Sequence, residues 1–509
     1  MKKFSSIFLV VLCMFLLAGC EDSFVEAAVK DTLTVVIYAD PGSLDPHDTT
    51  GVPHHQVTRQ IFETLVIRGD DGKLQPCLAE EWEYEDDTTL LMKIRKGVLF
   101  HNGEELKASD VLFSLKRMRE DNTTAAMQVT AIDFQKSTII DDFTLRIATN
   151  EPSPMLLAQL ENPMAAIISE KAYIENNGNF FDAGSIGTGP YRLVSYRSGD
   201  RVTLVGNEKY WIEGQPKIKN LVVKIITDGS SRAIEAESGG ADLVYDISPN
   251  DVDRVDATDG MSMVRSIGTK TEFISLNASN KPLDDIRVRQ AIFYALDLDQ
   301  IATVAFGTYG LKATGIISPG VDGRVDLTKT FVARDIRRAK GLLAEAGYPK
   351  GITLELTAPN TDQLRMDICE AAQAQLSEAG IQVKINYKEF NTWVSDMISG
   401  NATIGEYAFT ASTGEAGRVL MRFMPEYSES KVFGWHDDEY IKVCKQALRT
   451  INDSERNKLF AQCQQMLMDA FIIYPVWHKE INAAAQDYVK GFKIETSYEQ
   501  HYLQTVYFE

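Results

Sequence analysis

The 509-residue chain reads as a mixed α/β protein. Three observations predict this. Runs rich in β-branched residues recur along the chain and alternate apolar with polar positions, the period of a half-buried strand. Longer segments between them carry apolar residues at helical spacing. Over residues 352–385 the two patterns follow one another as strand, helix and strand, the order of a parallel βαβ unit. At roughly 150 residues per domain the length allows about three domains or two large lobes. An apolar content of 44% is enough to bury a core.

The N-terminus reads as a targeting signal. Lys2 and Lys3 precede a nearly all-apolar stretch, Phe4 to Leu17. It falls short of the ~20 residues of a membrane span and fits a secretory signal peptide over residues 1–19. It ends in Leu17-Ala18-Gly19-Cys20, which resembles the lipobox of bacterial lipoproteins, with Cys20 as the lipidated residue. An ordinary signal peptide with a chance cysteine is the plainer reading. Residues 20–30 then form a short acidic tether.

The elements follow in order. Thr32 to Tyr38 is a strand, closed by the Pro- and Gly-punctuated loop Asp40 to Pro46. His54 to Leu65 reads as a helix, and Thr89 to Ile94 alternates as a strand. Gly97 to Leu106 turns through Asn102-Gly103, a hairpin signal. A helix from Ala108 aligns Val111, Leu115 and Met118 on one face. Residues 138–148, 191–206 and 221–227 carry strand patterns, the second folding back at Ser198-Gly199-Asp200. Thr271 to Asn277 is extended and leads to a helix capped near Asp284, with Val288, Ala291, Ile292, Ala295 and Leu296 inward. Asp335 caps a helix to Ala346 that Gly347 closes. Ile352, Leu354 and Leu356 alternate in a strand. A helix spans Asp362 to Ala379 with Gly380 as its left-handed cap, and Ile381, Val383 and Ile385 form the next strand. There is no internal repeat.

Charge and motifs narrow the function. A net charge of −20 argues against a nucleic-acid binder, which needs a cationic face. Past the signal peptide and Cys20, four cysteines remain: Cys77, Cys369, Cys444 and Cys463. No CxxC pair occurs, so buried free thiols are the plain reading, with one disulfide left open. No G-x-S-x-G elbow or H-E-x-x-H is present. Gly187-Thr188-Gly189-Pro190-Tyr191-Arg192 lacks the third glycine of a dinucleotide loop, and Pro190 removes a donor. No catalytic residue, metal site or cofactor is expected.

Four separated segments carry a resemblance. They are IRKGVLFHNGEELKASDVLFSL (94–115), GTGPYRLVSYRSGDRVTLVGNEKYW (187–211), LDDIRVRQAIFYALDLDQI (283–301) and AKGLLAEAGYP (339–349). In this order the chain resembles the family 5 extracellular solute-binding proteins, the peptide, opine and nickel binders of ABC importers. The resemblance implies a two-lobed, periplasmic-binding-protein-like fold of type II, cluster C. Lobe one would hold 31–270, with an extra subdomain at about 60–185, and return over 485–509. Lobe two would hold 271–484. The implied function is not enzymatic. A small peptide or peptide-like amino compound is captured between the lobes and delivered to ABC permease subunits by a monomer. The protein would be extracytoplasmic and lipid-anchored to the bacterial membrane. The same fold could instead bind a nickel complex, an opine or haem, or act as a sensing receptor.

The resemblance also points to residues. Relatives that bind dipeptides carry a G-W-T-G-D-N-G-D-P stretch whose first aspartate holds the ligand amine. Here Thr413-Gly414-Glu415-Ala416-Gly417 takes its place, so Glu415 falls on the amine-binding position. Ser412 replaces the tryptophan and Arg418 an acid. Arg418 could supply a carboxylate clamp, although Glu415 and Arg418 also read as a solvated loop pair. Thr413 and Ser412 would line the same segment. Trp393 and Tyr387 could form an apolar wall or pack in the core. Thr49, Thr50 and His54 lie where relatives line the cleft from lobe one.

Overall fold

A computed structural model describes residues 30–494 and 502–509, apart from 49–50, 70–72, 122, 182–183, 308, 361–362 and 412. The expected signal peptide and Cys20 lie outside the described residues, as do Thr49, Thr50 and Ser412. Among the described residues no helix is long and apolar enough to cross a membrane.

The strands are β1 (Thr32–Ile37), β2 (Ala79–Asp86), β3 (Thr89–Ile94), β4 (Thr138–Asp141), β5 (Thr144–Ala148), β6 (Tyr191–Arg197), β7 (Arg201–Gly206), β8 (Asn220–Ile225), β9 (Leu243–Tyr245), β10 (Met261–Leu276), β11 (Ile352–Pro359), β12 (Ile381–Lys388), β13 (Ile404–Thr410) and β14 (Ile473–Gln486). A mixed sheet runs β12-β11-β13-β10-β14-β9-β1-β8-β7-β6, with Leu311–Lys312 also paired to β14. β1 lies parallel to β8 and β9. β10 and β14 are long antiparallel partners that belong to both halves of the sheet. Their register shifts between Ile267 and Thr271 and again between Glu272 and Phe273. The expected boundary at 270/271 falls inside β10, at the first of these shifts.

Lobe one carries a four-stranded antiparallel sheet of its own, β2-β3-β5-β4. Helix α1 (Val52–Ile61) precedes it, and α2 (Ala108–Glu120) packs on it through Val111, Leu115 and Met118, all fully buried. A short helix α3 (Leu156–Glu161) closes the subdomain. α1 stops at Ile61, where the sequence predicts a helix through Leu65. Phe62 is extended and buries in the core of lobe one, while Leu65 enters the subdomain core. Two residues three apart on one helix face could not serve two cores, so the chain leaves the helix between them.

Close packing explains the glycines of the 187–192 segment. A Cβ on Gly187 would lie 2.0 Å from the Ile61 carbonyl oxygen, and one on Gly189 2.7 Å from it. The Gly189 amide instead donates to that oxygen at 2.9 Å, sealing the end of α1.

Lobe two is built on helices α4 (Ile286–Ala295), α5 (Ile336–Glu345), α6 (Gln363–Glu378), α7 (Phe390–Ser399), α8 (Asp438–Ala447) and α9 (Asp453–Asp469). Asp335 caps α5 by accepting from the Arg338 amide at 2.9 Å. β11 and β12 pair in parallel over their whole length, with α6 as the crossover. A core continuous from Val36 and Val244 through Val476 to Leu356 and Ile381 runs along one face of the sheet. A second, aromatic core around Phe273, Phe409, Phe423 and Phe433 fills the other face in lobe two. Cys77, Cys369, Cys444 and Cys463 are buried and unbridged.

Candidate functional site

The loop leaving β13 carries the candidate site. Gly414 takes a left-handed conformation, φ +65°, that glycine adopts without strain. The next residues are pinned to a second loop. The Asp322 amide donates to the Gly414 carbonyl at 2.8 Å, and the Ala416 amide donates to the Asp322 carbonyl at 2.8 Å. This short parallel bridge fixes the direction of the intervening Glu415 side chain.

Lobe one reaches this loop through Arg68. Its Nη2 donates to the Thr413 carbonyl oxygen at 3.1 Å and lies 3.6 Å from Glu161 Oε2 on α3. A Cβ on Gly414 would stand 2.9 Å from the Arg68 guanidinium, so glycine here also makes room for the contact.

Glu415 is 6% exposed. Its Oε1 lies 3.9 Å from Arg456 Nη2, but that guanidinium is engaged elsewhere. It pairs with Asp453 at 2.8 Å and donates to the carbonyls of Thr450 and Ile451. Glu415 Oε2 and Thr413 Oγ1 are buried with no hydrogen-bond partner. Burial pushes the Glu415 carboxyl up to about 7, against the pull of Arg456 and Arg68 and with the help of Asp322 and Asp453. An orphaned buried carboxylate oxygen is costly unless something donates to it.

Glu415 borders a cavity of about 1050 Å³ between the lobes, with Arg68, Trp82, Tyr84, Asp322 and Arg456 among its walls. That volume suits a ligand of drug-like or small-peptide size. The walls carry both signs of charge and two aromatic rings.

The other candidates distribute unevenly. Thr413 stands beside Glu415 and is 3% exposed. Arg418 sits on the short helix Gly417–Leu420, within electrostatic reach of Arg422 and Tyr427, and does not border the cavity. Trp393 is buried on α7, donates Nε1 to the Glu406 carbonyl at 3.2 Å, and borders a smaller crevice. The Tyr387 hydroxyl lies 3.2 Å from Glu370 of α6 and borders neither space. His54 is 1% exposed in α1, with Nε2 2.9 Å from the Asp45 carbonyl. Burial lowers its pKa to about 4, so it is neutral. Among the described residues no group of three His, Cys, Asp or Glu is placed to hold a metal ion. Arg68, Asp322 and Arg456 escape sequence reading, because they join Glu415 from distant parts of the chain with no local motif.

Residues 73–430 match the family described as bacterial extracellular solute-binding proteins, family 5. The glutathione-binding protein GsiB of Salmonella choleraesuis is 25% identical over 489 residues, covering 94% of each chain. The structure of HbpA2 from Haemophilus parasuis superposes with a TM-score of 0.84 at 22% identity, over 94% of this chain and 100% of that one. DppA from Helicobacter pylori, solved with the peptide STSA, gives 0.73 at 22% identity over 94% and 98%.

Proposed function

Because the chain belongs to the bacterial extracellular solute-binding proteins of family 5, we propose that it captures a small peptide or peptide-like amino compound and hands it to the permease of an ABC importer. The observation that carries this reading is Glu415. A buried carboxylate with one orphaned oxygen borders an interlobe cavity of ligand size. The ammonium of a peptide would supply the missing donor as a charge-assisted hydrogen bond. Thr413 Oγ1 offers a second polar contact beside it. The glutathione-binding relative and the peptide-bound DppA support this ligand class.

Binding then works without bond-making. Walls from both lobes enclose the ligand, and closure follows from its higher affinity for the closed arrangement. A micromolar dissociation constant corresponds to about −8 kcal/mol, within reach of such an enclosure. Calorimetry with di- and tripeptides and glutathione, each beside its N-acetylated form, tests the reading. Acetylation, or Glu415→Ala, is expected to weaken binding by about 2–5 kcal/mol, as for truncating a buried charge pair. Equal affinities would remove Glu415 from the site. Native mass spectrometry of freshly purified protein would identify any ligand carried from the cell.

The protein on this reading is a monomer held outside the cytoplasm by lipid on Cys20, supported by the Leu17-Ala18-Gly19-Cys20 sequence. Metabolic labelling with a radioactive fatty acid is expected to mark the full-length chain and to fail for Cys20→Ser. Labelling that survives the substitution would exclude this anchor.

A further inference from the structure

The interlobe cavity has an apolar wall that the amine reading leaves unused. β2 is an edge strand of the subdomain sheet, paired with β3. Its side chains alternate: Glu81 and Glu83 are exposed, while Trp82 and Tyr84 are half-buried. Trp82 lies opposite Met92 and Tyr84 opposite Leu90, and both partners are fully buried. The two rings therefore sit on the core face of the sheet, at its rim. Leu74, and Leu157 of α3, also pack partly against this core. All four side chains border the cavity of about 1050 Å³, so the subdomain core comes to the surface inside it.

This wall lies beside the amine position. Tyr84 is within electrostatic reach of Glu415, Arg456 and Asp453, and its hydroxyl donates to the Ser153 carbonyl at 3.3 Å, which holds the ring. Arg68, from the same subdomain, donates to the Thr413 carbonyl two residues before Glu415. The subdomain is thereby seated against the loop that carries the anchor. The charged groups around Glu415 that border the cavity, Asp322, Asp453 and Arg456, come from lobe two. A ligand that fits both sides is amphipathic, with an ammonium next to an apolar group.

We propose that the subdomain selects the ligand, with Trp82 and Tyr84 receiving an aromatic or bulky apolar side chain on the carbon that bears the ammonium. The proposal rests on the reading of Glu415 as the amine anchor. A side chain on that carbon stays close to the ammonium, which brings it onto the ring near Glu415. Burying it there removes apolar surface of both partners from water, and offset or edge-on ring contacts add to this for an aromatic group.

The probes are L-phenylalaninamide and L-alaninamide, which share the ammonium and the amide and differ only in the side chain. Calorimetry on the full chain is expected to show L-phenylalaninamide binding about tenfold tighter. Trp82→Val and Tyr84→Val should each narrow this ratio and together erase it, while Tyr84→Phe keeps the ring and the ratio. The ratio is read within each variant, so a general loss of fold, which thermal melts check, does not imitate the effect. Leu74→Ala probes the same wall from outside the four-stranded sheet and should narrow the ratio too. Glu415→Ala is expected to weaken both compounds alike and leave their ratio. Equal affinities for the two compounds would overturn the proposal, as would a ratio that no wall variant changes, or no binding of either. A ratio that responds to the wall variants, with affinities unmoved by Glu415→Ala, would remove the amine anchor and leave the wall. Equal affinities that both fall on Glu415→Ala would do the reverse.

Discussion

On the proposed reading, Glu415 combines a stability cost with a binding role. Its carboxyl titrates near 7 because burial outweighs Arg456 and Arg68, while Asp322 and Asp453 face it with like charge. The folded pKa stands above the ordinary carboxylate value, so the folded chain holds this proton more tightly than the unfolded one. The stability it contributes is fully present at pH 4, below the ordinary value, and is lost as pH rises toward about 7. Glu415→Gln is therefore expected to raise the urea stability of the ligand-free protein at pH 8 by roughly 1–3 kcal/mol relative to pH 4. A pH-independent effect would mean that the carboxylate is solvated. Ligand binding has the opposite sign. An ammonium needs the ionised carboxylate, so affinity for an amine-bearing peptide should fall as pH drops below about 7. The position of Glu415 is legible from the Thr413-Gly414-Glu415 stretch, but its orphaned oxygen is not. That depends on Arg456 being engaged by Asp453, a contact between side chains of another element.

Elements were legible where periodicity was strong. β11, α6 and β12 follow the alternation of Ile352, Leu354 and Leu356 and the helical spacing after Asp362, because each buries one face on a single core. Legibility failed where one segment serves two cores, as at Phe62 and Leu65. It also failed along β10, which starts at Met261 although its apolar signal begins near Thr271. There Arg265, Gly268 and Lys270 interrupt the apolar pattern, and Arg265 and Lys270 pair with Glu480 and Glu272 instead of packing in a core. The glycine segment at 187–189 makes a sharper prediction. Gly187→Ala would drive a methyl into the Ile61 carbonyl and should cost about 1–3 kcal/mol in urea unfolding. An unchanged midpoint would mean that the end of α1 yields freely.

At the scale of the molecule, the lobes share one sheet and one core, and side chains also bridge the cleft between them. Arg68 donates to Thr413 across the cleft, and Arg449 pairs with Glu151 at the exposed rim. Such a surface pair contributes about 0–1 kcal/mol. On the proposed reading, closure is driven by the ligand's higher affinity for the closed arrangement. A peptide at a hundred times its dissociation constant should stabilise the protein by about 2.7 kcal/mol in a thermal melt and reduce its radius of gyration in small-angle scattering. Tight binding with no change in either would contradict a two-lobed trap.

The sequence by itself determined the family, the mixed α/β architecture and the loop that bears Glu415. These rest on local patterns, where apolar period and turn residues act over a few positions. Only the tertiary structure decided which charges meet. Arg68 with Thr413, Arg456 with Glu415, and Lys270, Glu272, Arg365 and Glu406 together are encounters between distant segments. Protonation and the shape of a cavity depend on how fully those encounters exclude water, which no local stretch of sequence encodes.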